Sequence, residues 1–403
     1  MANPIIAGVD MGTGAIKTLV ARKNDESSEF EVLAKIRKNS SGIRKGVITS
    51  PEEVGEIISS SLEEAESQIN QRIGGVYSNI SGSHIFSHIS KGLVSVSRAD
   101  QKISSEDIER VIQAARAFPL SKNKEILEVF PREFIIDGER GIKDPLEMNG
   151  IRFEAETLIV GGFSPYIRNA TQAIINAGVQ LNDMVLSQMA SAKATLNPRE
   201  KELGVALLDI GAGTASLAVF EEGGLIHTVV FPIGSNDITN DIAIGLKTDI
   251  DTAEKIKLEF GSCIAGKNDK KKEKIKSLSS SEEVVFSRDF LRKIIEARVC
   301  EIFDLVGEEL KKISKDGLLP AGIVLTGGGS KINRVSDLAK KTIKLPCRIG
   351  EPAGFSPPIN DASFVVACGL VIAGDELEES EGGDGFGSRI AKKIRKFTKN
   401  LIP

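Results

Sequence analysis

Short apolar runs alternate with stretches of helical periodicity along most of the chain. The apolar runs at residues 6–9, 205–208 and 322–326 have the length and composition of buried strands. Ser50 and Pro51 begin a predicted helix that continues toward Ile69, because a capping serine and a first-turn proline precede an acidic first turn. This alternation predicts an α/β fold, in which helices cover the faces of sheets.

Two of these runs, about half the chain apart, end in the same polar pattern. Residues 6–14 read Ile-Ala-Gly-Val-Asp-Met-Gly-Thr-Gly, and residues 205–214 read Val-Ala-Leu-Leu-Asp-Ile-Gly-Ala-Gly-Thr. Each pattern predicts a β-hairpin whose tight turn needs glycine and whose backbone N–H groups can approach a phosphate. One such turn alone is also a common tight β-turn. The pair predicts a nucleotide held between two similar domains.

Charged side chains at these turns supply the candidate chemistry. Asp10 and Asp209 would face the same gap, where carboxylates suit the water shell of Mg²⁺. Lys17 would lie on the second strand of its hairpin and reach the phosphates. A third turn, with glycine at 327–329, follows the strand at residues 322–326. It would admit a ring or a sugar against bare backbone, although three glycines can also form a plain connector.

Composition and charge narrow the class of protein. A chain of 403 residues can hold two or more domains with substantial cores. The net charge of −4 argues against nucleic-acid binding by overall electrostatics, so no nucleic-acid partner is expected. The four cysteines are scattered, and no signal peptide or bilayer-length apolar run is apparent. We therefore expect a cytosolic chain with reduced thiols.

The character of the sequence changes after Gly374. Residues 375–385 combine acidic residues with glycine and serine, which predicts a disordered, self-repelling linker. Residues 386–403 contain cations and no acid, and their large apolar residues recur at helical spacing. This predicts a helix lying in an anionic membrane interface, with a partner-binding helix or a plain basic tail as alternatives. The apolar stripe consists of Phe386, Ile390, Ile394, Phe397 and Leu401.

Taken in order, the three glycine turns resemble those of the actin/Hsp70/sugar-kinase superfamily, and within it the FtsA family of actin-like bacterial cell-division proteins. Residues 76–82, 141–152 and 201–205 add to the resemblance, which covers essentially the whole chain. It implies an actin-like ATPase fold, an α/β architecture of two ribonuclease-H-like domains around a nucleotide cleft, with an FtsA-type inserted subdomain. That insert separates the chain from actin, MreB and Hsp70.

The resemblance also implies a division into subdomains. Subdomain 1A would comprise residues 1–86 and 164–200, with the inserted subdomain 1C at 87–163. Subdomain 2A would comprise residues 201–232 and 315–354, with subdomain 2B at 233–314. A helix returning to 1A would occupy residues 355–374, before the linker at 375–385 and a membrane-targeting helix at 386–403.

The resemblance also implies functional roles for specific residues. ATP and Mg²⁺ are the implied cofactors, with Asp10 and Asp209 near the metal. Gln188 matches the residue that orients the attacking water, and because an amide cannot take a proton we expect at most slow ATP hydrolysis. Glu254 and Lys257 would face the base and ribose, unless they form a solvated helix face. The implied phosphate and adenosine contacts are Gly12, Thr13, Gly14, Lys17, Gly211, Ala212, Gly213, Thr214, Gly327, Gly328 and Gly329.

The implied function is a protein that polymerises on the inner face of the plasma membrane at the division site. There it would tether FtsZ filaments and recruit later division proteins. Arg298 falls on the helix that matches the FtsZ-tail surface, although an exposed basic residue is also the ordinary interpretation.

Three other functions occur on the same fold. A PilM-like pilus-assembly scaffold is disfavoured by the C-terminal helix. A small-molecule kinase would need a carboxylate base motif that we do not find. An Hsp70-like chaperone would need a peptide-binding domain after Gly374, where about thirty residues are too few.

Overall fold

The structure is a computed structural model, which describes residues 4–266, 271–279 and 283–381. Its first part is a hairpin followed by a helix that returns the chain to a parallel strand, because β1 pairs antiparallel with β2 and parallel with β6. The predicted helix at Pro51 is present and ends at Asn70 in the left-handed conformation. The elements are β1 (Ile5–Met11), β2 (Ala15–Lys23), β3 (Phe30–Asn39), β4 (Ile43–Arg44), β5 (Val47–Ile48), α1 (Pro51–Ile69) and β6 (Gly75–Ile80).

An inserted unit follows, with its own sheet and its own core. Its strands lie in the order β7-β10-β8-β9, and α2 packs on one face over Phe134 and Phe153. Ser104 and Asp107 form a capping box at the start of α2, which satisfies two N-terminal N–H groups. The elements are β7 (Phe86–Ser95), α2 (Ser105–Arg116), β8 (Lys124–Ile136), β9 (Glu139–Ile142) and β10 (Arg152–Phe163).

The chain then completes the first sheet and crosses to the second half. β11 pairs parallel with β6, so the first sheet runs β11-β6-β1-β2-β3. Helix α4 lies between the halves, which is why seven of its nine residues are buried. The elements are α3 (Ser164–Asn176), β11 (Gln180–Leu186), α4 (Ser187–Thr195) and α5 (Pro198–Leu203).

The second half repeats the topology of the first. Its sheet runs β14-β13-β12-β17-β18, with β12 antiparallel to β13 and parallel to β17, as β1 is to β2 and β6. The prediction of two similar α/β domains is therefore confirmed. The elements are β12 (Val205–Ile210), β13 (Ala215–Glu221), β14 (Gly224–Phe231), α6 (Ser235–Leu246), α7 (Ile250–Phe260), β15 (Lys272–Lys276), β16 (Glu283–Ser287), α8 (Arg288–Lys312), β17 (Ile323–Thr326), α9 (Val335–Ile343) and β18 (Cys347–Ile349).

The last elements return to the first sheet. β19 (Phe355–Ser356) pairs with β3, and α10 (Val365–Glu381) packs on β1 and α4. The prediction that a disordered linker starts at residue 375 is wrong, because α10 continues to Glu381. The helix continues because its acids are paired with lysines of the first half. Lys23 Nζ lies 2.6 Å from both Asp375 Oδ2 and Glu379 Oε1, and Lys193 Nζ lies 2.6 Å from Glu376 Oε2.

The inserted unit touches both halves. The Ser87 hydroxyl donates to the Thr228 carbonyl oxygen at 3.0 Å, and Lys143 Nζ lies 2.7 Å from Glu222 Oε2. One hydrophobic cluster joins Leu158 of the insert to Ile80 of the first half and Phe220 of the second. The predicted membrane stripe (Phe386, Ile390, Ile394, Phe397 and Leu401) lies outside the described residues.

Candidate functional site

The two predicted glycine turns meet tip to tip. A Cβ added to Gly14 would lie 2.7 Å from the Cβ of Ala212 in the opposite turn. A Cβ added to Gly213 would lie 2.8 Å from Thr13 Cγ2, so each turn leaves room only for hydrogen at its contact with the other. The Thr13 hydroxyl also accepts a hydrogen bond from the Gly46 N–H at 2.9 Å, which anchors the first turn. The tertiary structure thus joins two motifs that lie about 200 residues apart in the sequence.

Asp10 is held from two sides at the end of β1. Lys17 is its direct partner on β2 and places Nζ 2.7 Å from Asp10 Oδ2. Asn79, at the end of β6, donates from Nδ2 to Asp10 Oδ1 at 3.0 Å, and its Oδ1 accepts from the Met11 N–H at 2.7 Å. These bonds fix the carboxylate in one orientation on a buried strand end.

Asp209 occupies the matching place at the end of β12. Its Oδ2 accepts a hydrogen bond from the Ser191 hydroxyl of α4 at 3.0 Å. Burial and, to a lesser degree, the nearby charge of Asp10 raise the pKa of Asp209 to about 6. The two carboxylates therefore repel each other across the gap, and a cation placed between them would relieve that repulsion.

Helix α4 touches the networks of both carboxylates. Its Ser187 hydroxyl accepts from Asn79 Nδ2 at 2.9 Å and donates to the Ile80 carbonyl oxygen at 3.2 Å. Ser191, one turn later, bonds Asp209. A single rigid helix thereby connects the strand ends of the two halves.

Gln188, the predicted water-orienting residue, is placed differently. It is buried on α4 beside Ser187, but it does not line the cavity between the halves. Its amide oxygen and nitrogen have no hydrogen-bond partner among the residues that the structure describes. This geometry gives no support to a role for Gln188 in orienting water.

A cavity of about 1130 Å³ lies between the halves at the turns. That volume exceeds what a mononucleotide needs, since drug-sized ligands occupy pockets of roughly 300–1,000 Å³. Gly213 and Gln188 are the two predicted ATP-site residues that do not line it. The predicted residues that do are Asp10, Gly12, Thr13, Gly14, Lys17, Asp209, Gly211, Ala212, Thr214, Glu254, Lys257, Gly327, Gly328 and Gly329.

The third glycine turn closes the cavity next to Asp209. Gly327 has φ +81° and ψ 172°, and a Cβ there would lie 2.2 Å from Asp209 Oδ1. At Gly328 the nearest atom to an added Cβ is Ser363 Cβ at 4.0 Å, so that face of the turn opens toward free space. The turn therefore presents bare backbone to the cavity, as a planar ring or sugar requires.

Helix α7 contributes a buried lysine to the opposite wall. Lys257 Nζ donates to the Ser235 carbonyl oxygen at 3.1 Å and to Thr239 Oγ1 at 2.7 Å, and it lies 2.7 Å from Glu254 Oε2. Burial lowers the pKa of Lys257, and the Glu254 carboxylate opposes that shift. Both predicted residues are thus part of the cavity wall rather than a fully solvated helix face.

Sequence reasoning missed the residues that hold the two carboxylates. Asn79, Ser187 and Ser191 carry no local motif, although the polar Asn79 at the end of an apolar strand was a possible signal. No cluster of three or more His, Cys, Asp or Glu side chains that could hold a metal occurs in the described part of the chain. Two carboxylates beside a phosphate site nevertheless fit Mg²⁺, which is usually bound by one or two carboxylates, substrate phosphates and water.

Two further findings concern the predicted partners. Arg298 on α8 is bidentate to Asp241, with Nε–Oδ2 at 2.7 Å and Nη2–Oδ1 at 2.9 Å, and this pairing raises its pKa. It also lies 2.6 Å from Glu301 Oε2. None of the helices in the described ranges is long and apolar enough to cross a membrane.

Comparison with known proteins identifies relatives along almost the whole length. A family model described as cell division protein FtsA matches residues 206–369, and one described as the SHS2 domain inserted in FTSA matches residues 82–161. A cell division protein FtsA from Pseudomonas aeruginosa is 34% identical over 394 residues, covering 95% of this chain and 94% of that protein. The protein of that name from Borreliella burgdorferi is 35% identical, covering 99% and 98%.

Solved structures with the same fold are more distant in sequence. A chain of the PilM–PilN type IV pilus biogenesis complex matches with a TM-score of 0.68 at 17% identity, over 92% of this chain and 98% of that chain. MreB5 of Spiroplasma citri bound to ADP matches with a TM-score of 0.57 at 15% identity, over 94% and 99%. At such identities the likeness shows the fold alone, which is actin-like.

Proposed function

The chain belongs to the FtsA family of cell division proteins, and on this premise we propose that it binds ATP with Mg²⁺ in the cavity between its halves. The observation that carries the proposal is the meeting of the two glycine turns, with Asp10 and Asp209 at their strand ends. A triphosphate between the turns would receive backbone N–H groups from both halves, which is the usual way in which glycine turns bind phosphate. The solved MreB5 structures with ADP and AMPPNP support a nucleotide in this fold.

The residues present suit a magnesium ion at the phosphates. Asp10 and Asp209 would hold Mg²⁺ directly or through its waters, and bound Mg²⁺ would neutralise phosphate charge. Asn79 and Ser191 would keep the carboxylates oriented toward it. Lys17, already 2.7 Å from Asp10, would bring a positive charge to the same place.

Hydrolysis, where it occurs, is expected to be slow. The side chains nearest the strand ends are carboxylates, hydroxyls, the ammonium of Lys17 and the amide of Asn79, and Gln188 is buried away from the cavity. Asp209, whose pKa is raised to about 6, is the group best placed to accept a proton from water at neutral pH. A bound Mg²⁺ would lower that pKa again and weaken it as a base.

Titration calorimetry with ATP, with and without Mg²⁺, tests this proposal. The natural protein should bind Mg-ATP, and Asp209→Asn should lose most of the Mg²⁺ dependence because one of the two carboxylates is gone. Asp316→Asn removes the same charge from an exposed turn and serves as the matched control. Absence of nucleotide affinity in the natural protein would show that the proposal is wrong.

We also propose that the chain acts as a peripheral protein on the inner face of the plasma membrane at the division site. Each large apolar residue of the 386–401 stripe contributes at most about 1.5–3 kcal/mol on burial, and each interfacial cation roughly 1 kcal/mol. Ordering a short helix that is marginal in water offsets part of this gain. One helix should therefore bind reversibly, and a filament carrying several should bind tightly by effective concentration.

Pelleting with anionic and with neutral vesicles tests the membrane proposal. Phe397→Glu places a charge on the apolar stripe and should abolish pelleting with anionic vesicles. Thr398→Glu adds the same charge off the stripe and should reduce pelleting far less. Equal effects of the two substitutions would exclude an amphipathic helix. Electron microscopy on lipid monolayers with and without ATP would report polymer formation on the same surface.

Finally, we propose that the membrane-bound protein tethers FtsZ and recruits later division proteins. Arg298 remains the candidate contact, and its ion pairs with Asp241 and Glu301 would have to be shared with an acidic partner. Recruitment of FtsZ to vesicles coated with the protein is the measurement. Arg298→Ala should reduce it, while Lys293→Ala on the same helix should not; equal recruitment by both variants would remove Arg298 from the interface.

A further inference from the structure

A row of three charged residues crosses the first sheet at the cavity. In the strand register, Asp10 on β1 is opposite Lys17 on β2, and Lys17 is opposite Arg37 on β3. Directly opposed residues on adjacent strands project from the same face of a sheet. Ala34 and Ile36 of β3 are buried in the core beneath the sheet, which leaves Arg37 on the cavity face, where it lines the cavity wall.

Arg37 differs from the other described cations of the cavity, because no acidic side chain of the described part of the chain pairs with it. Among the residues that the structure describes, seven lysines and arginines line the cavity, and six of them pair with a carboxylate. Within the described ranges Arg37 has none, and it is exposed. The six paired residues are Lys17, Lys257, Arg288, Arg292, Lys331 and Arg334.

The groups around the cavity form a spatial row that ends at Arg37. Gly327 adjoins Asp209, and burial together with the nearby charge of Asp10 raises the pKa of Asp209. Asp10 pairs with Lys17, and Lys17 is the cross-strand neighbour of Arg37. If adenosine lies against the turn at Gly327, as the family resemblance implies, the phosphates run along this row of groups and their far end approaches Arg37.

The negative charge of the carboxylates and the triphosphate favours a second cationic side chain at the end of the row nearest Arg37. Asp10 and Asp209 together outnumber the single ammonium of Lys17, which Asp10 already engages. One Mg²⁺ bound by the two carboxylates leaves a triphosphate with uncompensated negative charge. A guanidinium is suited to it, because its planar N–H fork donates two parallel hydrogen bonds to phosphate oxygens.

We propose that Arg37 binds the terminal phosphates of the nucleotide and makes the cavity select polyphosphorylated nucleotides over monophosphates. The inference rests on the proposed nucleotide site and adds a specificity residue to it. Ser40 supports the placement, since it also lines the cavity and its Oγ is buried without a hydrogen-bond partner among the described residues. Its N–H contacts the Gly14 carbonyl oxygen at 3.5 Å, so the end of β3 adjoins the first phosphate turn.

Affinities of ATP, ADP and AMP, measured by titration calorimetry in Mg²⁺, test the assignment. Arg37→Ala should weaken ATP binding about tenfold to a hundredfold, the loss of one charged hydrogen-bonding group. AMP binding should change less than about twofold, because AMP does not reach Arg37. Arg37→Lys keeps the positive charge but lacks the planar N–H fork, so its ATP affinity should lie between those of the natural protein and Arg37→Ala.

Lys38→Ala is the matched control, because Lys38 is the next residue of β3, faces the other side and pairs with Glu64. It should bind all three nucleotides as the natural protein does. Equal ATP affinity in Arg37→Ala and the natural protein would overturn the inference, and so would equal weakening of ATP and AMP. If the natural protein bound no nucleotide at all, the proposed function itself would fail and Arg37 with it.

Discussion

Alanine substitutions at two adjacent glycines should have different effects, because one should lower the stability of the fold and the other should weaken nucleotide binding. Gly327 has φ +81° with ψ 172°, a region that is essentially confined to glycine and costs other residues about 1–3 kcal/mol. A Cβ there would also lie 2.2 Å from Asp209 Oδ1 and 2.6 Å from the Ile210 carbonyl oxygen. Such overpacking typically costs about 1–3 kcal/mol. Gly327→Ala should therefore lower the free energy of unfolding by about 2–6 kcal/mol, a large part of the roughly 5–15 kcal/mol of a typical protein.

Gly328→Ala is the matched comparison, since it adds the same methyl group one residue later. Its φ is not positive, and the nearest atom to the new Cβ is 4.0 Å away. The free energy of unfolding should stay within about 0.5 kcal/mol of the natural value. The methyl group would instead occupy cavity space at the expected adenosine position, so ATP affinity should fall.

Urea unfolding of the three proteins without nucleotide, together with ATP titration, measures both effects. The expected result is a destabilised Gly327→Ala and a stable Gly328→Ala with weakened binding. A Gly327→Ala protein as stable as the natural one would refute the argument from backbone strain and overlap. Full ATP affinity in Gly328→Ala would refute the placement of adenosine at this turn.

Three other predictions follow from the same contacts. Because burial raises the pKa of Asp209 to about 6 in the folded state, above its ordinary value near 3.8, its contribution to stability falls as the pH rises from about 4 to 6. Asp209→Asn removes that penalty and should stabilise the nucleotide-free protein by up to about 3 kcal/mol at pH 8 but not at pH 4, measured by urea unfolding; equal effects at both pH values would contradict this. Asn79→Ala removes the hydrogen-bond partner of the buried Met11 N–H and of Asp10 Oδ1, and it should cost about 1–3 kcal/mol in the same assay, whereas an unchanged midpoint would show that water replaces the amide. Lys23→Ala releases two carboxylates of α10 and should speed amide hydrogen exchange over residues 375–381 without a large change in global stability; unchanged exchange would mean that packing alone holds this helix end.

Helix α10 shows that amino-acid composition alone does not predict whether an acidic segment is ordered. Residues 375–381 carry a run of acids, and in isolation such a run repels itself and resists helix formation. The lysines that neutralise it are Lys23 and Lys193, which lie about 350 and 180 residues earlier in the chain. No local pattern contains that pairing, so the linker prediction fails where the ion pairs begin.

The residues around the two carboxylates also divide into those that a local motif predicts and those that only the tertiary structure brings there. Asp10 and Asp209 were identified because each stands in a repeated local motif with its glycines. Asn79, Ser187 and Ser191 were missed because their partners come from other elements. The family resemblance points to Gln188 on α4, but α4 directs Ser187 toward Asn79 and Ser191 toward Asp209, and Gln188 does not line the cavity.

The sequence by itself determined what depends on neighbours along the chain. The alternation of apolar runs, the helix at Pro51 and the two Asp-Gly turns are set by backbone preferences and periodicity within about ten residues. The tertiary structure alone decided which turn tip touches which, how the carboxylates are held and charged, that residues 375–381 are helical, and that Arg37 lacks an acidic partner among the described residues. Those properties depend on burial and on distances between groups far apart in the chain, which arise only in the folded tertiary structure.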